Sequence, residues 1–178
     1  MDIVAHGLWM GVAVVAVRRR RTISRPDAIA AVGLAVLPDV AQLVPLVAYA
    51  LSGEQGWSVL LDYATALPGF EPHLPPLLAL LTHHLHCLFH SAVVAGGVSV
   101  ALLLIGKSFW FPLLGWWSHI VIDVFTHSAE FYPVPVLYPF TQRGFDGLAW
   151  NTPGFQIANY TALALATVAL WLTRPRRG

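Results

Sequence analysis

Residues 109–127 read FWFPLLGWWSHIVIDVFTH, and this stretch decides the fold. As a helix rising about 1.5 Å per residue it is long enough to cross a hydrocarbon core about 30 Å thick, and Asp123 is the only formally charged side chain in it. Inside it, His119, Asp123 and His127 recur at i, i+4 and i+8 and so form one stripe along one face. Ionisable side chains are costly in lipid, so that stripe must face a cavity, a partner side chain or a bound ion.

The rest of the chain has the same character. Of its 178 residues 57% are hydrophobic and only 11% charged, too little polar surface to coat a soluble globule of this size. Most of the tryptophans and tyrosines stand near the ends of apolar runs, where amphipathic rings favour the bilayer interface. A net charge of +1 with no basic face argues against nucleic acid as a partner. The single cysteine, Cys87, excludes an internal disulfide. At the N-terminus the arginines Arg18 to Arg21 follow the apolar run instead of preceding it. The segment therefore reads as a mature helix, not a signal peptide.

Five segments can span a membrane as helices: Asp2 to Val17, Ala28 to Leu51, Pro76 to Gly106, Phe109 to His127 and Phe155 to Leu172. Pro38 and Pro45 predict a kink or break beside Asp39. The segments Ser52 to Pro75 and Ser128 to Gly154 read as polar connections, and no internal repeat is visible. With the N-terminus outside, Arg18 to Arg21, Arg25, Lys107, Arg174, Arg176 and Arg177 all fall on the cytoplasmic side, and Arg143 is the one basic residue outside. The acidic residues Asp2, Glu54, Asp62, Glu71, Glu130 and Asp146 then lie at or beyond the outer interface.

That topology allows depth to be estimated from the nearest cytoplasmic basic residue. His6 and Asp39 come to about 18 and 21 Å from the inner face, and His90, His119 and Asp123 to about 25, 18 and 24 Å. Four segments thus bring ionisable groups to one level. Imidazole and carboxylate together suit zinc, iron or manganese. In the third segment His83, His86 and His90 share a face, with His84 turned away, so His86 joins His90 as a candidate ligand. Taken singly, His83, His84 and His86 also fit hydrogen-bonded packing residues, and His73 fits a solvated loop residue. His6, followed by Gly7 and Gly11, fits close helix packing as well as ligation. Asp39, beside a proline, needs a partner.

The combination of His6, Leu37-Pro38-Asp39, Phe89-His90-Ser91 and Ser118-His119-Ile120-Val121-Ile122-Asp123-Val124-Phe125-Thr126-His127-Ser128 resembles the membrane-bound metal-dependent hydrolases. That family is also described as LexA-binding, inner-membrane-associated hydrolases, YdjM-like. The continuation Phe131-Tyr132-Pro133-Val134-Pro135-Val136-Leu137-Tyr138-Pro139-Phe140, and then Phe145-Asp146-Gly147-Leu148-Ala149-Trp150, is similar as well. The resemblance covers most of the chain. It implies metal ligation by His6, Asp39, His90, His119 and Asp123, with His127 close to the site. Many members carry His and Arg before the His-Ser pair, where this chain has His83, His84 and His86. The HxxxD pair His119 and Asp123 is also similar to zinc-dependent phospholipases C, by analogy only, since their second HxxxE pair is not visible here.

Residues 1–178 are therefore expected to form one all-α integral membrane domain. It is a multi-pass bundle of about five transmembrane helices in the inner membrane, with the N-terminus outside and the C-terminus cytoplasmic. The expected activity is hydrolysis of a lipid phosphate or ester at the outer leaflet through metal-activated water, with one or two divalent ions, zinc first. His127 or Glu130 is the expected general acid or base, His127 being equally a further ligand, and Arg143 is the expected phosphate contact or, equally, an interfacial anchor. Expected partners are membrane lipid and a lipid-like substrate. The alternative is a non-enzymatic metal-binding or metal-transport protein, and a third reading has the polar cluster simply gluing helices together. Single-cysteine labelling should reach positions 58 and 128 from outside and position 173 only from inside, and the reverse pattern would overturn the orientation.

Overall fold

The structure is a computed structural model that describes residues 1–66, 70, 72–106, 108–130 and 133–174. Glu71, Lys107, Phe131, Tyr132, Arg176 and Arg177, on which parts of the charge reading and the family likeness rest, lie outside the described residues. Among those described the chain is all-α with seven helices: α1 Ile3–Arg18, α2 Arg25–Ala50, α3 Glu54–Thr65, α4 Pro76–Phe89, α5 Ala92–Gly106, α6 Leu113–Thr126 and α7 Pro153–Leu172.

The helix starts are written in local chemistry. Asp2 caps α1 by accepting from the Ala5 amide at 2.9 Å, and the Ser24 hydroxyl caps α2 by accepting from the Asp27 amide at 3.1 Å. Two helices, α2 and α7, are long and apolar enough to cross a membrane; α4 and α5 make a third if the bent pair is one span, and α1 and α6 are shorter apolar helices.

Three expectations are corrected. Pro38 and Pro45 do not break α2, which runs as one helix from Arg25 to Ala50. Each proline costs one amide donor, and α2 is the central element, packed against α1, α3, α4 and α6, which hold it on several sides. The break falls instead in the third segment, where α4 and α5 meet at a 58° bend around His90 and Ser91. The backbone groups freed there find partners in the protein. Trp116 Nε1 donates to the Phe89 carbonyl at 2.6 Å, and the Ala92 amide donates to the Val136 carbonyl at 2.9 Å. The Ser91 hydroxyl donates to the Tyr138 carbonyl at 2.6 Å and accepts from the Val94 amide at 3.2 Å, capping α5. Finally, α3 occupies a stretch expected to be a loop. It turns back tightly on α2 through Gly53, at φ 152°, and through Gly56, where a Cβ would lie 2.0 Å from the Tyr49 carbonyl oxygen.

Residue contacts give the relative directions. Gly115 of α6 lies against Ala31 of α2, and His119, one turn on, lies against Ala35, one turn on, so α2 and α6 run parallel. In α1, Met10 meets Ser118 and His6 meets Asp123, so α1 and α6 are antiparallel. Among the described residues the interior holds a polar set alongside three apolar core clusters, and large apolar side chains stand on the outside. His6, Asp39, His86, His90, His119, Asp123 and His127 are buried, whereas Leu104, Ile105, Ile157 and Leu165 are exposed. An apolar exterior around a buried polar cluster is what lipid as solvent selects.

Gly115 sets the separation of α2 and α6, because a Cβ there would sit 1.9 Å from the Ala31 carbonyl oxygen. Gly115→Ala should destabilise the protein by about 1–3 kcal/mol through overpacking. Gly97→Ala in α5, where nothing lies within 4 Å, should be neutral or stabilising by up to about 1 kcal/mol. Thermal unfolding of the purified protein in detergent checks both, and a Gly115→Ala variant as stable as the wild type would overturn the assignment.

Candidate metal centre

Three of the bundle's elements supply four side chains whose ligand atoms all lie within 4.8 Å of one another: Asp39, His90, His119 and Asp123. Asp39 comes from the middle of α2, His90 from the α4–α5 bend, and His119 and Asp123 from successive turns of α6. His90, His119 and Asp123 are fully buried, and Asp39 is 7% exposed. The imidazole Nε2 atoms of His90 and His119 are 3.0 Å apart. Asp123 Oδ2 lies 3.3 Å from the first and 3.0 Å from the second, and Asp39 Oδ1 lies 3.7 and 3.8 Å from them.

Backbone carbonyls set the imidazole tautomers. His90 Nδ1 is 2.9 Å from the His86 carbonyl oxygen, and His119 Nδ1 is 2.8 Å from that of Ala35. A carbonyl oxygen only accepts, so each Nδ1 donates and, in the neutral ring, each Nε2 keeps its lone pair. With both rings neutral, two nitrogen lone pairs and two carboxylates converge with no proton among them. Such a set is repulsive alone and complementary to a cation. Donors at the corners of a tetrahedron with bonds of about 2.0–2.1 Å would be about 3.3 Å apart, within the 3.0–3.8 Å separations of the imidazole nitrogens from each other and from the carboxylates. Two carboxylates match the charge of a divalent ion, and Asp39 Oδ2 is buried with no hydrogen-bond partner. The residues fit a metal ion.

A second layer surrounds this set. Gln42 donates from Nε2 to Asp39 Oδ1 at 3.4 Å, and its Oε1 lies 3.0 Å from His86 Nδ1. The carboxylate can only accept, which orients the Gln42 amide; the amide oxygen can only accept, which protonates His86 Nδ1. On the other side, His6 Nε2 lies 2.9 Å from Asp123 Oδ1, and its ring stacks on His119 with centroids 3.8 Å apart. His127 Nε2 lies 3.6 Å from Asp123 Oδ1, and the Met1 amine contacts both Asp123 and His127. Asp123 thus divides its two oxygens, Oδ2 toward His90 and His119 and Oδ1 toward His6 and His127.

The other sequence candidates fall at various distances. His86 is buried with its ring against His90, centroids 4.1 Å apart, but stands outside the converging group of four. The helix ends at Thr126, so the extended backbone at His127 and not helical phase directs that ring. Glu130 and Arg143 are exposed and away from the four-residue group. His73, His83 and His84 are exposed as well, with His84 Nδ1 3.2 Å from the Tyr138 hydroxyl. Sequence reasoning missed Gln42. Its signal was a polar side chain three residues after Asp39, on the same face of an apolar helix.

A family model of YdjM inner membrane proteins matches residues 1–178. Neither a curated protein nor a solved structure matches the chain.

His119→Ala and Asp123→Ala should each lose most of the bound metal, while His73→Ala should retain it. Gln42→Leu, which removes a support of Asp39, should weaken metal affinity by about 10- to 100-fold. Elemental analysis of the purified variants decides; equal metal in all four would leave the cluster as helix glue.

Proposed function

The chain belongs to the YdjM inner membrane protein family, and on that premise we propose that it is a membrane-embedded metal-dependent hydrolase acting on a lipid phosphate or ester at the outer leaflet. The observation that carries this reading is the buried convergence of His90 and His119 lone pairs on Asp39 and Asp123. Asp39, His90, His119 and Asp123 would hold one divalent ion, zinc being the best match to two imidazoles and two carboxylates. His6 and His127, facing the other oxygen of Asp123, are the candidates for a second. If one coordination position were left to water, such an ion would supply Lewis acidity and lower the pKa of that water toward neutrality.

The chain's own residues supply the rest. His127 stands where α6 ends, next to Asp123 and, in the proposed topology, nearer the outer face than the four-residue group, so its imidazole is placed to pass a proton to a leaving oxygen. Glu130 and Arg143 lie in the connections beyond it. The Gly147 amide donates to the His127 carbonyl at 2.8 Å, which ties the Arg143-bearing segment to the end of α6. Glu130 is then the second acid or base, and Arg143 meets a phosphate at the membrane surface.

The proposed topology has α1, α2, the bent pair α4–α5, α6 and α7 as five crossings, with the N-terminus outside. It is supported by the alternating helix directions and by Arg19, whose guanidinium donates to the Thr173 hydroxyl at 2.7 Å and so sets the ends of α1 and α7 at one level. One observation favours a second reading. A helix broken at the ligand His90 is also a feature of metal carriers.

With the metal-loaded protein, turnover of a panel of phospholipids should be detectable, and His127→Gln should retain metal while lowering turnover by roughly 10² to 10⁴. Parallel loss of metal and turnover would make His127 a ligand. Metal flux into proteoliposomes with no lipid turnover would establish the carrier reading instead.

A further inference from the structure

In the proposed topology α6 crosses the membrane, yet its 14 residues rise only about 21 Å against a hydrocarbon core about 30 Å thick. Apolar thickness is therefore left to cover where the helix ends, and the chain that follows its C-terminus packs directly against that end. Gly147 permits the approach, because a Cβ there would lie 2.5 Å from the Phe125 carbonyl oxygen. Gly144 lets the same connection fold back on itself, because a Cβ there would lie 2.8 Å from the Val134 amide nitrogen.

Both the backbone and the side chains of this connection suit hydrocarbon better than water. The last carbonyls of a helix have no partner inside it, and at an aqueous end water can serve. Here the amides of Gly147, Leu148 and Trp150 donate to the carbonyls of His127, Phe125 and Thr126 at 2.8, 2.9 and 2.9 Å. Further along, the Val136 carbonyl accepts from the Ala92 amide at 2.9 Å and the Tyr138 carbonyl from the Ser91 hydroxyl at 2.6 Å, while the Tyr138 and Phe140 amides donate to the Pro135 and Leu137 carbonyls at 2.9 Å. Non-helical backbone persists at membrane depth where the protein satisfies its polar groups in this way. Outward, Phe140 is 81% exposed and Leu148 73%, and Leu137 and Phe145 are exposed too. In water these side chains would make an adhesive patch. Instead they continue the apolar side of α6, since the Phe145 ring meets the exposed Phe125 ring edge-on with centroids 5.7 Å apart. The charges of the connection are compatible with such a seat. Asp146 accepts from the Ala129 amide at 2.8 Å, and the long stem of Arg143 allows its guanidinium to reach the headgroups.

We propose that the connection between α6 and α7 is seated in the membrane, its Leu137, Phe140, Phe145 and Leu148 side chains meeting the acyl chains of the leaflet at the α6 C-terminus, the outer one in the proposed topology. The inference rests on α6 crossing the bilayer and not on the hydrolase activity. The test places one spin label per molecule on the full chain, in a Cys87→Ala background reconstituted into phosphatidylcholine–phosphatidylglycerol liposomes. The labelled variants are Phe140→Cys and Leu148→Cys, with Val121→Cys on the exposed side of α6 as the lipid reference and Thr22→Cys in the α1–α2 connection as the aqueous one. Collisions with oxygen, which concentrates in lipid, and with a water-soluble nickel chelate are measured by electron paramagnetic resonance. Phe140→Cys and Leu148→Cys should behave as Val121→Cys does, with nickel collisions roughly 10-fold fewer than at Thr22→Cys and oxygen collisions more frequent. Nickel collisions at both positions as frequent as at Thr22→Cys, with Val121→Cys in lipid, would put the connection in water and overturn the proposal alone. Few collisions with either reagent would place a second copy of the chain over the patch and overturn it as well. A Val121→Cys label in water would overturn the α6 crossing, and the proposal with it.

Discussion

Two carboxylates and two imidazoles, all buried, converge with their ligand atoms within 4.8 Å of one another, the imidazole nitrogens lying 3.0 to 3.8 Å from each other and from the carboxylates. Each imidazole has its outward nitrogen committed to a backbone carbonyl, so neither can turn away or offer its neighbour a proton while neutral. In a low-dielectric interior such an assembly is unfavourable by itself and strongly favourable around a cation. This constraint explains why a polar cluster is kept inside a chain whose outside is apolar.

Much of the architecture follows from bringing those four side chains together. The α2 and α6 backbones come close enough for His119 to reach the Ala35 carbonyl because Gly115 has no side chain to hold them apart. His90 stands at a bend, which directs its ring inward, and the bend is tolerated because Trp116, Val136 and Tyr138 take up the backbone and Ser91 groups that it frees. Asp123 then links the centre to α1 through His6 and to the connection that follows α6 through His127. A cavity of about 350 Å³ lies beside Gln42 and His86, toward the Pro76 end of α4. The four-residue group and the cavity thus meet at Gln42 and His86, which touch both.

Some of this was legible in the linear chain. The i, i+4 pair His119 and Asp123 and the estimated common depth of His6, Asp39 and His90 pointed to a shared interior level, because a helix converts sequence spacing into height and angle. His127, by contrast, lies past the end of α6, where extended backbone and not helical phase brings it beside Asp123. The site of the helix break was misread, because proline was taken as the dominant disruptor. Pro38 and Pro45 sit in a helix supported on several sides, whereas Phe89-His90-Ser91 carries no proline and breaks where external partners make up for the lost hydrogen bonds. α3 was missed because a short amphipathic helix between glycines resembles a loop in composition.

The sequence alone determined that the chain is helical, apolar on its outside and obliged to bury a histidine and aspartate set, since composition and helical period are properties of the chain itself. Only the tertiary structure decided that Asp39, His90, His119 and Asp123 form the converging group, that His86 stands behind it, and that Gln42 belongs to its surroundings. The physical reason is that a metal centre is defined by distances between atoms on different helices. Those distances depend on helix rotation, on close approach at Gly115 and on the bend at His90, none of which is encoded by spacing along a single segment.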